Sequence, residues 1–214
     1  MKKLLSVFAA IVLVLGMAGV ASAIYWADFV YDYTGYPNPN FRGGIDVDGD
    51  GYYESLDGDI LYLSGVDPSV ALGEPDESFV SIYEGEFITV GFSTPFLNGP
   101  GIDFYIVETG HANEGAYVSV SSDGTNFTSI GTVDVPDGGS NTTQFGDLYG
   151  FDLAGTFTEP VSYVKISDSV LGVSEGFDLS GVGANYPVPE PATLFLLGSG
   201  LIGLAGLGRK TLKR

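Results

Sequence analysis

The stretch EFITVGF, residues 86–92, alternates large apolar side chains with small or polar ones. Successive side chains of a β-strand point to opposite sides, so this pattern places Ile88, Val90 and Phe92 on one face of an extended segment. A strand that is apolar on one face has to bury that face against another layer of structure. The stretch therefore predicts a half-buried β-strand in a layered fold.

The same alternation recurs along the chain. In AYVSVSS, residues 116–122, it directs Val118 and Val120 inward and Tyr117 outward, and Ser-Asp-Gly-Thr at 122–125 predicts a hairpin turn. Residues 34–59 are predicted to form a long loop. Seven further extended runs are predicted strands: ADFVYDY, DILYLS, FVSIYE, DFYIVET, FTSIGTVDV, VSYVKIS and GFDLSGVGA. About nine short strands without a sustained helical period predict an all-β fold, a two-sheet β-sandwich.

The two ends of the chain have a different composition from the segment between them. Lys2 and Lys3, an apolar run and Ala-Ser-Ala at 21–23 predict a signal peptide with a helical core over residues 1–23. Residues 192–208 carry no charge and predict a C-terminal hydrophobic helix, with the basic residues after it on the cytoplasmic side of the membrane. The sequence therefore predicts one domain over 24–186 between two targeting segments, 1–23 and 187–214.

The predicted domain is strongly acidic. Residues 24–186 hold 26 of the 27 acidic residues but only two basic ones, Arg42 and Lys165, a formal charge of −24. Such a surface repels phosphate backbones, which excludes nucleic acid as a partner, and it favours cations. The chain has no cysteine, so disulfides and thiolate chemistry are excluded, and metal ions are the remaining means of stapling the fold.

The stretch DVDGDGYYESLD, residues 46–57, has the spacing of a calcium-binding loop. Such loops place oxygen ligands at positions 1, 3, 5, 7, 9 and 12 around a glycine at position 6. The predicted ligands are Asp46, Asp48, Asp50, the carbonyl of Tyr52, Glu54 and Asp57, with Gly51 at the turn. Aspartate replaces the usual glutamate at position 12, and no helices flank the loop. The alternative is a solvated cluster of Asp-Gly turns.

No residue is predicted to be catalytic. Residues 172–176 spell Gly-x-Ser-x-Gly, but a hydrolase of that type needs a later histidine, and His111 lies upstream. Asp103 and Glu108 are acidic residues at predicted strand edges. Glycoside hydrolysis needs only two carboxylates, yet solvation of turns and edges is the interpretation preferred for this pair.

Aromatic residues are dense near the start of the predicted domain. Tyr25, Trp26 and Tyr36 are candidates for a platform on which sugar rings stack. The alternation in ADFVYDY instead directs Phe29, Tyr31 and Tyr33 together toward a core, so Phe29 and Tyr31 are predicted to be largely buried. This expectation places a structural role ahead of sugar recognition.

Two resemblances to known families add to this interpretation. Val188, Pro189, Glu190 and Pro191, followed by an apolar run and a basic cluster, closely resemble the PEP-CTERM sorting signal. In that family an exosortase recognises the tail and the protein is cut near Pro-Glu-Pro. The resemblance implies export through the secretion machinery, transient anchoring by 192–208 and a host that makes exopolysaccharide.

The second resemblance covers much of the domain. The segments ALGEPD at 71–76, NGPGIDFYIVETG at 98–110 and GFDLSGVGA near the end of the domain are similar to successive strands of galactose-binding-like jelly rolls. This implies a jelly-roll fold and leaves the ligand open.

The function predicted from the sequence is that of a secreted, non-enzymatic structural protein of the cell surface or extracellular matrix, stabilised by calcium. A lectin-like carbohydrate-binding module is the alternative, and a glycan hydrolase is the third possibility. Exosortase and exopolysaccharide are the expected partners.

Overall fold

The structure, a computed structural model, describes residues 24–34, 41–46, 60–76, 78–109, 114–135, 146–168 and 176–185. The predicted signal peptide and the C-terminal segment 187–214 lie outside these residues. Among the described residues, no helix has the length and apolar character needed to cross a bilayer.

The described part of the chain is built almost entirely of strands. A single short 3₁₀ helix, Pro68–Ala71, is capped at its start by Asp67, whose side chain accepts a hydrogen bond from the Ser69 backbone N–H at 2.9 Å. The strands are β1 (Tyr25–Trp26), β2 (Phe29–Tyr33), β3 (Arg42–Asp46), β4 (Ile60–Ser64), β5 (Phe79–Ile82), β6 (Phe87–Phe96), β7 (Phe104–Glu108), β8 (Glu114–Ser121), β9 (Thr128–Val135), β10 (Asp147–Phe151), β11 (Val161–Asp168) and β12 (Phe177–Ala184).

These strands form two antiparallel sheets. The larger sheet has the order β10-β7-β12-β5-β3-β4, with β1 paired to β12 beside this path, and the smaller has the order β2-β6-β11-β8-β9. The two sheets pack face to face, which confirms the predicted two-sheet β-sandwich. The chain passes repeatedly from one sheet to the other, as expected for a jelly roll.

The core lies between the two sheets and follows the alternation of the strands. Ile88, Val90 and Phe92 of β6 are all buried, as EFITVGF predicts, and so are Val118 and Val120 of β8. A row of aromatic rings continues the core: ring centroids are 5.1 Å apart for Phe92 and Phe96, 5.6 Å for Phe96 and Phe104, and 5.0 Å for Phe104 and Phe151. The core is therefore close-packed across both layers.

Three strands were not expected from the sequence. The segment predicted to be one long loop, 34–59, contains β3, which pairs with both β4 and β5. Gly43 of β3 is required there, because a side chain at this position would collide with the backbone carbonyl of Phe79. A glycine that suggests a loop in the sequence thus allows the backbones of β3 and β5 to approach closely. The other two are β10 and the two-residue β1.

Candidate binding surface

A bulge in β2 decides which of its aromatic rings reach the surface. Val30 pairs with Val90 of β6, whereas Asp32 pairs with the adjacent Thr89, so Tyr31 is an extra residue in the ladder. Val30 and Tyr33 pack against the core, while Tyr31 is 43% exposed. The prediction that Tyr31 is largely buried is wrong, because the bulge changes the alternation on which it depends.

Phe29 and Tyr31 lie on the outer face of the smaller sheet and meet Tyr163 of β11. The ring of Tyr31 is 4.4 Å from that of Tyr163, and the ring of Phe29 meets Tyr163 edge-on at 6.2 Å. Phe29 is half-buried, but it lies outside the core because it packs over Gly91, on the face opposite Val90. We call Phe29, Tyr31 and Tyr163 the aromatic platform.

The turn between β8 and β9 borders the platform. A Cβ atom at Gly124, whose φ is +75°, would lie 2.8 Å from the Tyr31 ring, so this glycine lets the ring and the turn approach closely. The carboxylate of Asp123 accepts hydrogen bonds from the backbone N–H groups of Thr125 and Asn126, both at 2.8 Å, and these bonds lower its pKa. The Ser-Asp-Gly-Thr turn predicted from the sequence is therefore present and firmly held.

One basic side chain lies on the same face, two residues beyond Tyr163. Lys165 is flanked by Thr89 of β6 and Ser119 of β8, its register partners. Its ammonium group lies 3.9 Å from the centroid of the Phe87 ring and 5.8 Å from that of Phe127. A cation at these distances is attracted by the negative face of the ring.

Tyr117 provides a contrast on the same sheet. It is 45% exposed on β8, opposite Ser167 of β11, as the sequence predicts. Among the described residues its ring has no aromatic neighbour. Tyr117 is thus a solitary surface ring, whereas Tyr31 belongs to a layer of three.

The aromatic residues that the sequence singled out as a platform lie elsewhere. Tyr25 and Trp26 form β1 in the larger sheet. The Tyr25 ring is 5.8 Å from Phe92, and the Trp26 ring packs over Gly183. Neither ring contacts Tyr31, and Tyr36 is outside the described residues.

Most of the predicted calcium loop is also outside the described residues. Asp46 ends β3 and pairs with Ile60 of β4, so the chain segment that contains the loop leaves the sheet and returns to it at one register position. The other five predicted ligands, Asp48, Asp50, Tyr52, Glu54 and Asp57, are not described. Within the described ranges, no group of three or more histidine, aspartate or glutamate residues is placed to hold a metal ion. Calcium binding at this loop stays a prediction.

Asp103 and Glu108 are fully buried, so the expectation that they are solvated strand edges is wrong. Asp103 accepts hydrogen bonds from the backbone N–H of Gly99 at 2.6 Å and of Leu153 at 2.7 Å. It thereby ties together two loops that are far apart in sequence. The signal that points to this role is its position between Gly-rich turn residues and a strand, where a carboxylate caps free N–H groups.

Glu108 belongs to an acidic group inside one end of the sandwich. It shares the inward parity of Phe104 and Ile106 on β7, and its register partner on β10 is Asp147. Glu114 of β8 is buried from the opposite sheet. Burial first, and then the negative charges of Glu108, Asp147, Asp134 and Glu114, raise the pKa of Tyr149 above its ordinary value of 10.0.

Comparison with known proteins identifies the C-terminal segment. Residues 187–210 match the model of the PEP-CTERM protein-sorting motif, which includes Val188, Pro189, Glu190 and Pro191. The chain therefore carries a sorting signal that implies export and processing by an exosortase. No curated protein matches the chain.

The sandwich has partial likeness to modules of several carbohydrate-active enzymes. A family 89 glycoside hydrolase from Clostridium perfringens aligns with a TM-score of 0.42 and 14% identity over 57% of this chain and 13% of the hydrolase. A family 43 arabinoxylan arabinofuranohydrolase from Bacillus subtilis aligns with a TM-score of 0.37 and 22% identity, over 53% of this chain and 22% of the hydrolase. CBM32-1 of a family 31 glycoside hydrolase from Clostridium perfringens aligns with a TM-score of 0.40 and 15% identity, over 57% of this chain and 87% of CBM32-1. The chain thus spans a small part of either hydrolase, and no function is drawn from the likeness.

Proposed function

We propose that this chain is an exported, non-enzymatic module that binds polysaccharide through the aromatic platform. The observation that carries the proposal is the Tyr31 ring, which is 43% exposed although it lies only 4.4 Å from the Tyr163 ring. A partly exposed layer of aromatic rings, with Tyr31 open to solvent and Phe29 and Tyr163 half-buried, forgoes part of the stabilisation that burial of apolar area would give, about 25 cal/mol per Å². Such a layer is typical of a surface that packs against a ligand.

The platform has the composition of a sugar-binding surface. The C–H face of a pyranose ring is apolar and packs on an aromatic ring, while its hydroxyl groups need polar partners nearby. Ser122 and Glu159, joined by a 2.6 Å hydrogen bond, lie at the turn beside Gly124, and Asp32 follows Tyr31. Lys165 supplies N–H donors on the same face. Stacking and hydroxyl recognition are therefore available side by side.

The exposure of Tyr31 changes the ranking of the two functions predicted from the sequence. A structural role was placed first because Tyr31 was expected to be in the core. Structural use in a surface layer or extracellular matrix remains the second candidate. It is favoured by the formal charge of −24 over residues 24–186, which would let calcium bridge neighbouring copies.

The buried acids support a non-enzymatic role. Asp103 and Glu108, the two carboxylates that sequence reasoning considered for glycan hydrolysis, are 0% exposed. A hydrolase needs its acid and its nucleophile or base on either side of the scissile bond, and these two do not reach the surface.

The sorting motif indicates where in the cell this binding function would operate. The sorting motif at 187–210 makes an exosortase the first partner, with membrane anchoring by 192–208 before the tail is cut. The cell surface or the extracellular space is then the final location, and the exopolysaccharide of the host is the candidate ligand.

The experiment compares two tyrosines of nearly equal exposure on one sheet, Tyr31 at 43% and Tyr117 at 45%. Wild type, Tyr31→Ala and Tyr117→Ala are applied to a glycan array in calcium buffer, and the affinity of each positive polysaccharide is measured by calorimetry. Tyr31→Ala is expected to weaken binding at least tenfold, because it removes the centre of the platform. Tyr117→Ala, at 45% exposure, is expected to bind like the wild type. Equal losses in both variants, or no binding by the wild type, would contradict the proposal.

A further inference from the structure

Lys165 lies beside the platform rather than at the edge of the sheet. It occupies β11, the central strand in the order β2-β6-β11-β8-β9, and its side chain shares the outer face with Tyr163. The two residues are two positions apart, so their Cα atoms are separated by about 7 Å along the strand. A sugar stacked on Tyr163 therefore comes within reach of the lysine side chain.

The ammonium group of Lys165 is positioned by rings and not by carboxylates. It lies 3.9 Å from the centroid of Phe87 and 5.8 Å from that of Phe127, and among the described residues it forms no ion pair. Contact with a ring face does not use up the N–H donors of an ammonium group, which has three. Lys165 thus keeps donors for oxygen atoms of a ligand on this face.

The charge of the surroundings restricts what that ligand can be. Residues 24–186 carry a formal charge of −24, and Lys165 is one of only two basic residues among them. A polymer with a carboxylate on every sugar would bring one charge to Lys165 and the rest to an acidic surface, which includes Asp32 and Glu159 near the platform. Salt screens such repulsion only in part for charges closer together than the Debye length, which is about 8 Å at 0.15 M salt.

A neutral polymer avoids this repulsion and uses every feature of the face. Its rings stack on Tyr31 and Tyr163, and its hydroxyl or ring oxygens accept hydrogen bonds from Lys165. We infer that the platform, set in acidic surroundings, selects neutral polysaccharides over polyuronates, and that Lys165 contributes to their affinity by donating hydrogen bonds to a stacked sugar. The inference rests on the proposed polysaccharide-binding function and names the class of its ligand.

The test uses the full chain purified in detergent and matched pairs of polymers: fully methyl-esterified polygalacturonate with polygalacturonate, and dextran with carboxymethyl dextran. A neutral polymer of a pair is expected to bind at least tenfold more tightly than its acidic counterpart in 50 mM salt. The affinity for the neutral polymer is expected to change less than twofold between 50 and 500 mM salt. Tighter, salt-sensitive binding of the acidic members would overturn the neutral class while leaving polysaccharide binding intact.

Variants of Lys165 test its role separately. Lys165→Met keeps an apolar stem but removes the donors, and it is expected to weaken neutral binding about tenfold. Lys165→Arg keeps a cation with donors and is expected to stay within threefold of the wild type. Unchanged binding by Lys165→Met would show that Lys165 does not contribute to the affinity for the neutral polymer. If no polymer binds and Tyr31→Ala alters only self-association in sedimentation, the face is an interface between copies, and both this inference and the proposed function fail.

Discussion

The ring of Phe29 occupies the space that a side chain at Gly91 would fill. The two residues are register partners on β2 and β6, and a Cβ atom built at Gly91 would collide with the outer edge of the ring. The absence of a side chain at Gly91 therefore lets Phe29 lie over the neighbouring strand and meet Tyr163. One glycine on a central strand thus sets the position of an aromatic ring on the surface.

We expect Gly91→Ala to displace Phe29 and to destabilise the domain. Overpacking of this kind costs about 1–3 kcal/mol, and urea denaturation measures it. Gly131→Ala on β9 is the matched control, because its added methyl group would meet the Phe151 ring at 3.5 Å, an ordinary contact. The control should change stability by no more than about 0.5 kcal/mol. Equal destabilisation in both variants would show that the Phe29 contact is unimportant.

Regular pairing explains where the sequence was sufficient to predict the fold. β6 and β8 both keep their register with β11 across several residues around Val90 and Val118, and neither strand carries the extra residue of a bulge there, so the period of two correctly assigns their buried faces. The bulge at Tyr31 depends on which strand lies next to β2. Local sequence does not contain that information, and the expected parity of Phe29 and Tyr31 therefore failed.

The sequence predicts the candidate site less well than it predicts the fold. Tyr31 and Tyr163 are 132 positions apart, and they meet across β6, which lies between their strands in the sheet. The density of aromatic residues near the start of the domain pointed to Tyr25 and Trp26, which lie on the larger sheet and away from Tyr31. Asp103 was misassigned for a similar reason, because its partner Leu153 lies 50 positions away.

Asp103 is expected to be one of the residues on which stability depends most. Asp103→Ala leaves the N–H groups of Gly99 and Leu153 without their acceptor in a buried place, at a cost of about 3 kcal/mol. Asp152→Ala is the control, since Asp152 is exposed and its carboxylate accepts a hydrogen bond from the nearby Ala154 N–H at 2.8 Å. The control should cost less than about 1 kcal/mol. Chemical denaturation of both variants decides the matter, and a small effect at Asp103 would refute its role.

The calcium loop gives a prediction about chelation. Loops of this type in extracellular modules bind at roughly 10⁻⁴–10⁻³ M. Calcium at ten times the dissociation constant stabilises the folded state by about 1.4 kcal/mol. Chelator should therefore lower the melting temperature by about 3–6 °C. Asp48→Ala should abolish this response, whereas Asp134→Ala, an exposed acid on β9, should retain it. If chelator leaves the melting temperature of the wild type unchanged, residues 46–57 form only a turn cluster.

The sorting signal predicts the mass of the finished protein. Intact-mass measurement on protein from the native host should give a chain that starts near Ile24 and ends before Leu194. Replacement of Pro189, Glu190 and Pro191 by alanine should leave the apolar tail attached, because the matched motif is lost. Full-length tail in the surface fraction of the wild type would contradict processing.

The raised pKa of Tyr149 predicts a loss of stability at alkaline pH. Burial, followed by the charges of Glu108, Asp147, Asp134 and Glu114, raises its pKa above 10.0 in the folded state. Between the unfolded and the folded pKa, the folded chain keeps a proton that the unfolded chain has released, so the stability contribution is complete below pH 10 and declines as pH rises above it. Tyr149→Phe has no such proton and should lose less stability than the wild type between pH 9.5 and 11.5. Tyr117→Phe, at an exposed position on β8, is the matched control substitution. Urea midpoints measured across this range test the prediction, and parallel curves for wild type and Tyr149→Phe would show that the raised pKa has no effect on folding.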